Sequence, residues 1–181
     1  MTQVSSLLST GAALFLAVAC TVTSPASASD STVNVTASIV ASPCKVASDS
    51  VVEVDLGKVW TSELTDANDA SKWVAFQINL VDCPVNTTQV TATMSGSPDP
   101  DFPDYYINTG STDGSSSGKN VAIDVMDEAG LLQLSNGKTM TVNVDNSHAA
   151  VFNMKSRMIT PTGKATSGKV AGAMEVTMTY Q

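Results

Sequence analysis

The sequence predicts an all-β sandwich. Short runs in which apolar and polar residues alternate are separated, roughly every ten to fifteen residues, by Gly, Pro, Asn or Asp. The composition agrees: Ser, Thr, Ala, Val and Gly dominate, while only 14% of the 181 residues are charged and 5% aromatic. Few stretches carry the Leu, Glu and Lys that build helices, and the alternating runs argue against disorder. Net charge is −8, which disfavours a nucleic-acid or anionic-membrane partner.

The first 28 residues read as a secretory signal. Leu14 to Ala19 forms a short apolar core, and Ala26-Ser27-Ala28 is an A-x-A cleavage site. The segment is too short and too weakly apolar to be a spanning helix. The region from Met1 to Thr10 departs from the pattern in having no Lys or Arg, so that the true start could lie upstream. A lipid-acceptor role for Cys20 is the lesser reading, because Leu16 stands one place too early for a lipobox. Cleavage after Ala28 leaves 153 residues with two cysteines, Cys44 and Cys83. Two cysteines in an exported chain are expected to pair. They lie 39 positions apart, and closing such a loop is worth roughly 4 kcal/mol in the chain-entropy model.

Along the mature chain the alternating positions are Val52, Val54 and Leu56 before Gly57, then Val74 to Leu80 before Cys83-Pro84. Val90, Ala92 and Met94 follow, then Val121, Ile123 and Val125. Asn136-Gly137 is a two-residue hairpin signal, with Leu132 and Leu134 before it and Met140, Val142 and Val144 after it. Ala150, Phe152 and Met154 lead towards Met158, and Pro161-Thr162-Gly163 turns the chain again. Ser62 to Lys72 reads as a loop with one turn at most. One domain and no internal repeat are expected.

Two runs stand apart. Before the first cysteine, Val33, Val35, Ala37 and Ile39 are apolar, while Thr32, Asn34, Thr36 and Ser38 between them are polar. A chain end is normally frayed and polar, yet this one carries a complete one-faced strand. At the other end Val170, Gly172, Met174, Val176, Met178 and Tyr180 are apolar or small, and most intervening residues are polar. On periodicity alone these are equally well two edge strands of a closed sandwich.

At these runs the sequence resembles the chaperone–usher pilins, most closely the small tip-adaptor subunits of type 1 pili. The one-faced N-terminal strand leads to Pro43-Cys44, and Val54-Asp55-Leu56-Gly57 follows. The second cysteine sits in Leu80-Val81-Asp82-Cys83-Pro84, ahead of Thr91-Ala92-Thr93-Met94-Ser95-Gly96 and Tyr105-Tyr106. The chain closes with a glycine fourteenth from the end, Gly168, alternating apolar residues and a penultimate tyrosine, Tyr180. In this order, over the whole mature chain, the pieces are specific together.

The resemblance implies an incomplete immunoglobulin-like β-sandwich lacking its last strand, with a free N-terminal donor strand. It divides the chain into a signal peptide at 1–28, a donor extension at 29–42 and a pilin domain at 43–181. Donor-strand complementation, a known form of strand addition, then assigns Val33, Val35, Ala37 and Ile39 to the donated strand. Gly168, Val170, Met174, Val176, Met178, Tyr180 and Gln181 fall to the acceptor groove and chaperone-binding strand. The implied partners are neighbouring pilus subunits, a periplasmic chaperone and an outer-membrane usher, with export through the periplasm to the pilus on the bacterial surface. No apolar run follows Tyr180 to cover the groove, and an open sandwich is an aggregation hazard until it is filled. Burying Val33, Val35 and Ile39 would contribute roughly 1.5–3 kcal/mol each, and ladder hydrogen bonds about 1 kcal/mol each. Their sum rivals a typical domain stability. The rival is a self-complemented monomer; four residues from Val40 to Pro43 span at most about 14 Å, which makes that fold-back difficult.

No cofactor, metal, nucleic-acid or small-molecule site is expected. The 17 carboxylates scatter through loops, which disfavours a glycosidase pair. Asp99 to Asp104 lacks the bidentate glutamate of an EF-hand loop. Gly114 to Lys119 is one residue short of a P-loop and continues with Asn120. One histidine, His148, leaves zinc with too few ligands. Trp60, Trp73, Tyr105 and Tyr106 could stack on a sugar, although packing is the expected role; the family's adhesins carry a further lectin domain for which 153 residues leave no room. A major rod subunit and, less favoured, a carbohydrate-binding adhesin remain the alternatives to a minor tip adaptor.

Overall fold

The structure is a computed structural model that describes residues 43–47, 51–110 and 118–181. Eight strands occur among them: β1 (Lys45–Val46), β2 (Asp69–Ala70), β3 (Val74–Val81), β4 (Gln89–Gly96), β5 (Ala122–Asp127), β6 (Thr139–Asn143), β7 (Ala150–Thr160) and β8 (Met174–Tyr180). The loop reading of 62–72 gives a single 3-10 turn, Thr61–Glu63, followed by β2.

All pairings are antiparallel. In the first sheet β7 is central, with β3 running beside it from Val74↔Ser156 to Leu80↔Ala150 and β2 continuing that edge. β5 lies on its other side and β1 adds to β3 at Leu80 and Val81. The second sheet has the order β6-β4-β8. Period-2 patterning is what places the core: along β7 the even residues Ala150, Phe152 and Met154 are buried and share one cluster with Leu80, Val90, Ala92 and Met94. Cys44 and Cys83 are joined in a disulfide inside that cluster, fastening the start of the domain to the end of β3.

Three expectations need correction. Val52, Val54 and Leu56 alternate as a strand should, yet among the described residues 51–59 enters no ladder. Alternation fixes which face is apolar, whereas a ladder also needs a neighbour. Asn136-Gly137 does make a tight turn, with Lys138 N–H donating to Ser135 O at 3.0 Å and Gly137 at φ +80°. It is not a hairpin, however. Gln133 and Leu134 run back along β5, whereas β6 pairs with β4, so the turn carries the chain from one sheet to the other. Finally, the C-terminal run becomes a strand only at Met174. Before it, Ala171 N–H donates to Asn108 Oδ1 at 3.0 Å and Ala171 O accepts from Thr109 N–H at 2.7 Å.

Candidate functional site

β8 has one hydrogen-bonded neighbour among the described residues, β4, in a register from Val90↔Tyr180 to Gly96↔Met174. Just beyond its end, Gln89 and Gln181 exchange both backbone bonds, at 3.2 and 2.9 Å. Hydrogen-bonded and non-bonded pairs alternate in an antiparallel ladder. The odd residues Glu175, Thr177 and Thr179 therefore spend their N–H and C=O on β4. The even residues Met174, Val176, Met178 and Tyr180 direct theirs to the open side. These four also turn their side chains inward, where each is half-buried and packs against the core. Among the described residues, one set thus presents both backbone groups without a partner strand and unfinished apolar surface.

Sequence reasoning missed a second open edge. β1 pairs with β3 only at Leu80 and Val81, so β3 has no partner on that side between Val74 and Ile78 among the described residues. Phe76 and Ile78 face the core from this stretch but stay half-buried. Val52, Val54 and Leu56 are likewise incompletely covered. Alternation reveals such positions as inward-facing; only the register shows that a strand is missing beside them.

The other expected site residues are distributed as follows. Val170 packs against a second small cluster of Leu64, Val121 and Met158. Gly168 is exposed, ahead of the segment fixed by Asn108. Gln181 is exposed, and its main-chain oxygen accepts from Thr88 and Gln89 N–H at 2.6 and 3.2 Å. The donor-strand residues Val33, Val35, Ala37 and Ile39, and the signal segment, lie outside the described residues.

The aromatic residues take packing roles. Tyr106 is buried and its hydroxyl donates to Leu134 O at 2.9 Å; burial pushes its phenol up to about 12. Its ring lies across Gly96, where an added Cβ would come within 2.7 Å of a ring carbon. Trp73 carries Arg157 over its ring at 4.1 Å and Lys155 at 5.0 Å. Arg157 in turn donates through Nε to the buried Asp124 carboxylate at 2.9 Å, which also accepts from Gln133 Nε2 at 2.8 Å. Each polar group of this cluster is paired with a neighbour on the same sheet face, which braces the sheet from outside. Trp60 stands 77% exposed at the 3-10 turn. No trio of His, Cys, Asp or Glu among the described residues is placed to hold a metal ion.

The described residues thus form two antiparallel sheets, with a disulfide at the start and a last strand that has one partner among them. The model of the family described as "Fimbrial protein" matches residues 33–181. The chain belongs to the fimbrial protein family. Protein FimG of Escherichia coli (strain K12) is 36% identical over 154 residues, covering 84% of this chain and 86% of that protein. The S-fimbrial adhesin protein SfaS of Escherichia coli O6:K15:H31 (strain 536 / UPEC) is 35% identical over 156 residues, covering 86% and 88%. Among solved structures, a chaperone–usher pilus superposes with a TM-score of 0.62 at 20% identity, covering 83% of this chain and 95% of that one, a likeness of fold. The chain is a structural subunit of a chaperone–usher pilus with an incomplete immunoglobulin-like sandwich. Such subunits polymerise with one another into surface pili, and the family is one of structural proteins.

Proposed function

We propose that this subunit accepts a neighbour's strand along the open edge of β8 and donates its own residues 29–42 in the same way, occupying a minor tip-adaptor position. The carrying observation is the coincidence at Met174, Val176, Met178 and Tyr180 of half-buried apolar side chains with backbone groups turned away from β4. A strand entering here satisfies both at once, through ladder hydrogen bonds and apolar contact. The adaptor position rests on the resemblance to small tip adaptors and on the similarity to FimG. On this reading residues 1–28 are removed on export. A periplasmic chaperone covers the β8 edge first, and an outer-membrane usher exchanges it for the incoming strand. The subunit works without catalysis, cofactor or small-molecule substrate.

The test separates donor from acceptor. Replacing Val35 or Ile39 with Asp is expected to stop the subunit from being incorporated by its donor end while it still binds an incoming strand. Val176→Asp is expected to do the reverse. If both kinds of variant fail in the same step, or neither fails, the reading is wrong.

A further inference from the structure

The open edge carries chemistry that strand pairing does not use. Seven methionines lie among the described residues and differ sharply in environment. Met94 and Met154 are fully buried and Met158 nearly so. Met126 and Met140 are half-buried on other strands. Met174 and Met178 are half-buried on β8, alternating with Val176 and Tyr180 on the inward face, beside the backbone edge that has no partner among the described residues. A thioether is apolar and adaptable, suited to a surface that is to be covered. It is also the side chain that mild oxidants convert to a polar, chiral sulfoxide.

We propose that Met174 and Met178 form an oxidation site that blocks strand acceptance while the edge is open and is protected once the edge is filled. The inference rests on the acceptor reading above. The oxidant is a peroxide: a sulfur lone pair attacks one peroxide oxygen, the O–O bond breaks, and the oxygen remains on sulfur. The sulfur is oxidised, and the other oxygen leaves as water after proton transfer. Each event places an S=O dipole on the inward face of β8, between Val176 and its apolar neighbours. Before the edge is covered, that dipole remains partly hydrated. A docked strand would bury it without a donor, since the cross-strand partners on β4, Ala92 opposite Met178 and Gly96 opposite Met174, offer no polar side chain. Each sulfoxide is therefore expected to weaken strand binding about tenfold or more. Filling the edge first shields both sulfurs.

The experiment uses the mature subunit and a labelled peptide of its own residues 29–41 as donor-type probe. Subunit is exposed to hydrogen peroxide with the edge open or peptide-filled, each methionine is assayed by peptide mass spectrometry, and peptide dissociation is measured. With the edge open, Met174 and Met178 should oxidise well before Met94 and Met154, and affinity should fall about tenfold or more. With the edge filled, both should stay reduced. A Met174→Leu/Met178→Leu variant should keep its affinity after peroxide, whereas Met126→Leu/Met140→Leu should remain sensitive. If wild-type subunit binds the peptide before peroxide and equally well after both sulfurs are oxidised, the inference is overturned while the acceptor reading stands. If unoxidised subunit does not bind, both fall.

Discussion

Replacing Val176 with Asp puts a carboxylate on the inward face of β8, opposite the fully buried Met94. In the unfilled subunit Val176 is only half-buried, so the substitution forfeits part of the roughly 1.5–3 kcal/mol that full burial of a valine gives. The new charge can still reach water across the open edge. Free-subunit stability should therefore drop by about 1 kcal/mol. A docked strand removes that escape: the carboxylate must be buried without a cation or protonated, a cost of several kcal/mol. A differential of about 3 kcal/mol corresponds to roughly a hundredfold loss of affinity. The control is Thr177→Asp, which adds the same charge one residue on, on the exposed outer face opposite Thr93; its effect should stay within about 0.5 kcal/mol. Thermal unfolding reports the first quantity and dissociation of a labelled donor peptide the second. Equal affinities for the two variants would refute the assignment of the even residues to the acceptor face. Collapse of the free Val176→Asp subunit would refute the claim that this face is unfinished.

Asp124→Ala should cost about 3–5 kcal/mol in urea unfolding, because it leaves Arg157 partly buried at 27% side-chain exposure without its carboxylate; a loss below 1 kcal/mol would make the network ornamental. The Tyr106 phenol is raised from 10 to about 12 by burial, so the fold favours its neutral form. Stability from this group is complete below pH 10 and is lost as pH rises towards 12, by about 2–3 kcal/mol in all. Tyr106→Phe should flatten that decline, at a cost of about 1 kcal/mol for the hydrogen bond to Leu134; an unchanged alkaline slope would contradict it. Unreduced peptide mapping should recover Cys44 linked to Cys83, and reduction should cost about 2–5 kcal/mol; two alkylatable thiols in native protein would exclude the bridge.

Alternation made the strands β3, β4, β7 and β8 legible, because each turns its more buried face inward and a one-residue slip would expose it. The same signal misled at Val52–Leu56, where the apolar face exists without a ladder, and at Val170, whose parity matches Met174 but whose backbone neighbour Ala171 is claimed by Asn108 and Thr109. Asn136-Gly137 encodes a turn, but its local chemistry does not say which sheet each arm joins. The cysteine pair was legible from compartment and number. The Trp73–Arg157–Asp124 cluster was not, because it depends on the register of β5 against β7, which places Asp124 opposite Arg157, 33 positions away in sequence. Of the edge proposed to accept a strand, the sequence showed which side chains face inward. The backbone half of the site became visible only when Gln89 and Gln181 were seen to form a bonded pair, setting the phase of the ladder.

That phase gives the most direct test of the account, residue-resolved amide hydrogen exchange along β8 in the free subunit and in the subunit holding a donor strand. In the free subunit the N–H groups of Glu175, Thr177 and Thr179, bonded to β4, should exchange slowly, and those of Val176, Met178 and Tyr180 should exchange fast. On filling, the second set should slow to the level of the first. Uniform protection of all six in the free subunit, or fast exchange at Val176, Met178 and Tyr180 that persists with the donor bound, would contradict the claim that β8 is an open edge completed by another subunit's strand.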